Sequence, residues 1–176
     1  MAEPRVRLRR DVVLGLARAA AASPLVLSIL DGTARALPRS AGTDLAILEG
    51  ALALEHQAIA LYDLGLKRNL FPLGLRSYAV EFRGDHQGHR DTQIAISEER
   101  GGRPPAPLAG YEFGAVAAGD EIVRAALRIE QAAQAAYTAL ISQIRTKDYL
   151  LSAAFILVDE VRHMTVWRRV LGLKIY

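Results

Sequence analysis

The sequence predicts an all-α protein built as a four-helix bundle, and three observations carry that expectation. Ala and Leu dominate a composition with only 6% aromatic residues, a balance that favours helices. Four segments place apolar residues three and four apart, the spacing that lines one face of a helix. The links between them run short, long, short, which pairs the helices into two hairpins joined by a single crossover.

At 176 residues, the chain suits one folded domain, expected over residues 41–176, behind a leader over residues 1–40. The first helical segment runs from about Thr43, as N-cap, to about Lys67. A turn over Asn69 to Gly74 leads into the second, from about Leu75 to Arg100. The crossover opens on Gly101, passes through Pro104, Pro105 and Pro107, and closes near Gly119. The third segment spans about Asp120 to Thr146, with Lys147 and Asp148 as a tight link. The fourth spans about Tyr149 to Leu171, and Gly172 is its natural stop.

The net charge is +3, but it is unevenly placed. Residues 1–40 carry seven Arg against Glu3, Asp11 and Asp31, whereas residues 41–176 carry 15 basic and 16 acidic residues. The folded part is therefore near neutral, which argues against a nucleic-acid face. Arg9-Arg10, the Ala/Leu/Val-rich run to Leu30 and the small-x-small pair Ala34 and Ala36 resemble a twin-arginine export signal with a cleavage site. A periplasmic or exported protein is expected on that reading; a cytoplasmic protein with an extra amphipathic helix is the alternative, and Arg18 within the run favours it. No run reaches the ~18 uncharged apolar residues of a membrane span.

Each apolar stripe is interrupted at its centre by groups that do not belong in a core. Glu55 follows Leu48, Ala51 and Leu52 in the first segment, and Glu130 follows Val123, Ala126 and Leu127 in the third. The second carries His86 and His89, the fourth Glu160 and His163, each pair three apart and so on one helix face. A lone buried carboxylate costs several kcal/mol unless it is paired, protonated or bound to metal. With no cysteine in the chain, any metal would be held by carboxylate and imidazole. The fourth histidine, His56, follows Glu55 directly and is expected on the surface.

The hairpins repeat one another. Leu54-Glu55 with Tyr62 in the first segment matches Ile129-Glu130 with Tyr137 in the third. His86 and His89 follow Glu55 at nearly the intervals by which Glu160 and His163 follow Glu130. A pseudo-twofold pair of hairpins would bring all six donors to one level of the core. Tyr62 and Tyr137, two turns beyond their glutamates, are expected as core residues with hydrogen-bonded hydroxyls, or as partners of the ligands. Gly84 and Gly88 flank His86, and close packing against another helix or a local kink would account for them.

On these residues the chain resembles the ferritin-like superfamily, over about residues 41–172. That pattern is a carboxylate from the first helix, Glu-x-x-His from the second, Glu from the third and Glu-x-x-His from the fourth. Glu55, His89, Glu130, Glu160 and His163 fit it; His86 stands where the family has a bridging glutamate. The resemblance implies a ferritin-like bundle with two metal ions, iron first, and redox chemistry with O2 or peroxide as ferroxidase, oxidase or catalase-like protein. The extra imidazole widens the candidates to manganese, zinc or copper. Two alternatives stand beside it: a non-enzymatic metal-storage or metal-binding protein, and a metal-free stress or interaction module whose donors pair with Arg90, Arg128 or Arg162. Expected partners are metal ions and O2 or peroxide, in a homodimer or higher homo-oligomer, with no nucleic acid and no permanent membrane span.

Overall fold

The computed structural model describes residues 41–114 and 116–175, so the expected leader lies outside the described residues. Four helices carry the fold: α1 (Ala41–Lys67), α2 (Arg76–Glu99), α3 (Asp120–Ile141) and α4 (Lys147–Val170). A single 3-10 turn, Leu73–Leu75, leads into α2. The expected hairpins form, with α1 packed along α2 and α3 along α4. Helix α1 also packs on α3, whereas α2 and α4 meet sparingly.

The crossover fixes the topology. The Arg103 N–H donates to Glu49 of α1, the His56 ring meets the Pro105 carbonyl, and the Gly119 N–H donates to the Leu70 carbonyl past the end of α1. The chain thus returns along α1 from its start to its end, and α3 begins there and runs antiparallel to α1. Gly102 leaves room on this path: a Cβ there would lie 2.3 Å from Glu49 Oε1 and 2.5 Å from Ser97 Oγ, and those side-chain ends would have to shift.

Two expectations about helix ends are corrected. Helix α1 is already helical at Ala41, the first described residue, so Thr43 lies within it and is not its N-cap. Helix α3 ends at Ile141, five residues before Thr146, and Lys147 and Asp148 open α4 instead of forming the link. The cause lies on another helix. The buried Asp44 carboxylate of α1 accepts the backbone N–H groups of Arg145 (2.9 Å) and Thr146 (2.5 Å), drawing the link across the bundle end. Gly172 ends α4 as expected, at φ 64° with its N–H donating to the Arg169 carbonyl.

Gly84 and Gly88 are exposed, and a Cβ on either would meet nothing within 4 Å. Close packing among the described residues therefore does not explain them, and α2 runs through both without a break. Helix α1 is long and apolar enough to cross a membrane, but most of that window is buried as the central strut of the bundle.

Two apolar clusters fill the interior. One is aliphatic, built on Ile47, Leu48, Leu54, Leu140 and Ile156 with Tyr137 and Tyr149. The other is aromatic, built on Tyr62, Phe71, Phe82 and Trp167 with Leu61 and Ile122. The polar donors lie between the two.

Candidate metal centre

Glu55, His86, His89, Glu130, Glu160 and His163 all converge, each no more than 8% exposed. They form two overlapping groups of donors: Glu55, His86, His89 and Glu160, and His86, Glu130, Glu160 and His163. Helix periodicity brings them inward, and the antiparallel pairing of α2 with α4 sets His86 and His89 level with Glu160 and His163.

Around them stands a shell that repeats across the pseudo-twofold. The His163 Nε2–H donates to Asp85 at 3.0 Å, and the His89 Nε2–H donates to Asp159 at 3.2 Å. Each aspartate precedes the first donor of its own helix and orients the histidine of the facing helix. A carboxylate only accepts, so each contact places a proton on Nε2, and in the neutral ring Nδ1 then faces inward with its lone pair. The Tyr137 hydroxyl donates to Glu55 and the Tyr62 hydroxyl to Glu130, so each tyrosine reaches the glutamate of the other helix. Behind them, Gln93 donates to the Tyr137 oxygen (2.5 Å) and the Trp167 indole to the Tyr62 oxygen (2.8 Å). The tyrosines are buried core residues with hydrogen-bonded hydroxyls, as expected, and they also touch the donors.

The inner face of the cluster is under-satisfied. His86 Nε2, His89 Nδ1 and both Glu160 oxygens are buried without a hydrogen-bond partner. His89 Nδ1 lies 3.5 Å from Glu55 Oε2 and from Glu160 Oε1, and His163 Nδ1 lies 3.3 Å from Glu130 Oε2. Lone pairs on nitrogen and anionic oxygen repel at that range unless a proton or a metal ion lies between them. Neighbouring ligands around one ion with bonds of about 2.1 Å stand about 3.0–3.4 Å apart, so the donor set fits a metal.

Left to protons alone, the cluster neutralises itself. Burial pulls His89 down, but hydrogen bonds and charge from Glu160 and Glu55 outweigh it and raise the ring to about 10. His86 is likewise raised well above the usual range: burial opposes, and Glu160 and Glu130 prevail. Burial would raise Glu55, yet hydrogen bonds from His86 and His89 hold it at about 2. Glu130 is lowered against its burial by His86 and His163. Glu160 goes the other way, raised well above the carboxylate range because burial dominates. Metal and protons compete for one set of atoms, so metal uptake releases protons.

Two sequence expectations change here. His56 is buried instead of exposed, its Nε2 3.1 Å from the Pro105 carbonyl under the crossover. Burial first, then nearby Arg90, lowers its pKa. Asp85 lies one residue off the donor face of α2, and it is the partner of His163 because that side of α2 looks onto α4. Arg162 does pair with carboxylates, but with Glu81, Asp85 and Asp159 at the outer rim. Arg90 pairs with Asp91, and Arg128 is exposed. Among the described residues, the partners of the core carboxylates are histidines and tyrosines. Asp159 was not singled out from sequence; its signal is the position it shares with Asp85, four residues before a site histidine.

Fold and site together define a four-helix bundle with a buried carboxylate–histidine cluster. The ferritin-like domain profile matches residues 43–173, and the chain belongs to that family. It is similar to a conserved hypothetical protein, rv2844, from Mycobacterium tuberculosis, with 30% identity and a TM-score of 0.68 over 74% of this chain and 98% of that one. No curated protein matches the chain.

Proposed function

We propose that this chain binds redox-active metal in the buried cluster and reacts it with O2 or peroxide, as a ferroxidase, oxidase or catalase-like protein. The observation that carries this reading is the convergence of buried, unpartnered nitrogen and oxygen atoms on one interior point, with the imidazoles turned inward by Asp85 and Asp159. Glu55, His86, His89, Glu130, Glu160 and His163 would hold two ions, iron first, with manganese, zinc or copper also suited to this shell. Bound iron or manganese would supply one-electron chemistry. The chain's own part is to orient the imidazoles, hold Glu55 and Glu130 through the tyrosine hydroxyls, and exclude bulk water with apolar packing on both sides.

Elemental analysis of natively produced protein, followed by O2 and peroxide consumption by the reduced metal form, tests the reading. Stoichiometric metal with rapid consumption supports it. Metal without consumption moves the protein to storage or simple binding, and a monomer or dimer by light scattering then removes a storage cage. Less than one equivalent after loading with each candidate metal overturns the metal reading.

We also propose that residues 1–40 act as an export leader, on the strength of Arg9-Arg10 and the Ala34–Ala36 pair. N-terminal sequencing of periplasmic protein should find a chain beginning after Ala36, and full-length protein confined to the cytoplasm overturns this.

A further inference from the structure

Resting on the metal reading above, we propose that the two halves of the cluster hold metal unequally. His86 Nε2, Glu130, Glu160 and His163 make a closed four-donor subsite that fills first. Glu55, His89 and Glu160 make a three-donor subsite that fills second and keeps an open position.

His86 makes the difference. Its Nδ1 lies 2.8 Å from Glu55 Oε2, a hydrogen-bond distance, and donates its proton there. Its Nε2 has no hydrogen-bond partner and faces Glu130 Oε2 at 3.4 Å, the spacing of two ligands on one ion. A neutral imidazole offers one lone pair, so His86 serves the Glu130 side only. On the other side, the same ring ties up an oxygen of Glu55.

Charge works in the same direction. Three carboxylates carry −3, enough for one divalent ion but not two, and a second ion leaves net positive charge in a buried site. Glu160 lies between both groups and cannot fully neutralise each.

The surroundings differ as well. His163 is fully buried and stacks on Phe82 at 4.1 Å, with Trp167 and Tyr62 packed behind. The His89 side chain is 10% exposed and its partner Asp159 37%, against 0% for His163 and 29% for Asp85. The tighter subsite is thus the drier one, and the looser subsite lies nearer to solvent. That is the arrangement of a closed structural ion beside an ion with room for a small reactant.

The test is a titration of the chelator-treated full chain with Co(II), followed by calorimetry and by the visible spectrum of the bound ion. Two steps are expected, the first at least ten-fold tighter. Glu130→Gln should abolish the first step, Glu55→Gln should remove only the second, and His86→Glu should draw the two together by supplying a fourth carboxylate. Should a glutamine variant lose helicity by circular dichroism, His163→Gln and His89→Gln repeat the comparison on the same two subsites. Two equal steps in the unaltered chain, or equal losses in the paired variants, overturn the split while leaving metal binding intact. Absence of any Co(II) binding overturns the metal reading itself.

Discussion

The α1–α2 and α3–α4 hairpins are near copies in their outer polar shell and differ at its centre. Asp159 supports His89 as Asp85 supports His163, and Tyr137 holds Glu55 as Tyr62 holds Glu130. The departures are His86 opposite Glu160, and Gln93 opposite Trp167, each four residues beyond a site histidine. A duplicated support with an unlike pair at its centre shows that geometry and chemistry are set separately in this bundle. The shell fixes where the donors point, and one exchanged residue decides what they can hold.

The largest effect is expected at the one donor both halves share. Glu160→Ala should reduce bound metal by at least about ten-fold after loading, measured by elemental analysis; retention of one full equivalent would show that the halves are independent. Next come the supporting aspartates. Asp85→Asn and Asp159→Asn should each weaken metal affinity by about 10–100-fold, the first on the tighter step of a titration and the second on the looser. Identical behaviour of the two would erase the difference between the halves.

The outermost partners should separate the halves by stability. Trp167→Phe loses the hydrogen bond to Tyr62 and leaves a void in the aromatic cluster, at a cost of about 2–3 kcal/mol by urea denaturation. Gln93→Leu should cost about 1 kcal/mol. The smallest change is a gain: Gly84→Ala and Gly88→Ala should each stabilise by about 0.5–1 kcal/mol, since a Cβ there meets nothing and the helix continues through both. A loss at either position would mean that something beyond the described residues packs on that face.

Much of this arrangement was legible in the sequence because helix geometry is local. Glu55, Glu130 and the two x-x-His pairs stand out as polar breaks in apolar stripes, and the matching intervals between hairpins put them at one level. The misses around the site are places where one segment answers to a distant one. Asp85 and Asp159 sit about 100° around the helix from the core-facing donors, and only the α2–α4 pairing makes that side matter. His56 is covered by a crossover with no periodicity of its own. The early end of α3 follows from Asp44, a residue 101 positions before Arg145. Patterns of three and four report which face is buried, but not which neighbour buries it.

Neither hairpin carries a complete set of donors. One group takes His86 from the first and Glu130, Glu160 and His163 from the second, and the other joins Glu55, His86 and His89 to Glu160. Hairpin formation is short-range and fast, while docking must close far longer loops. During folding, then, the site does not exist until the two halves meet, and a bound ion would act as a latch on that last event.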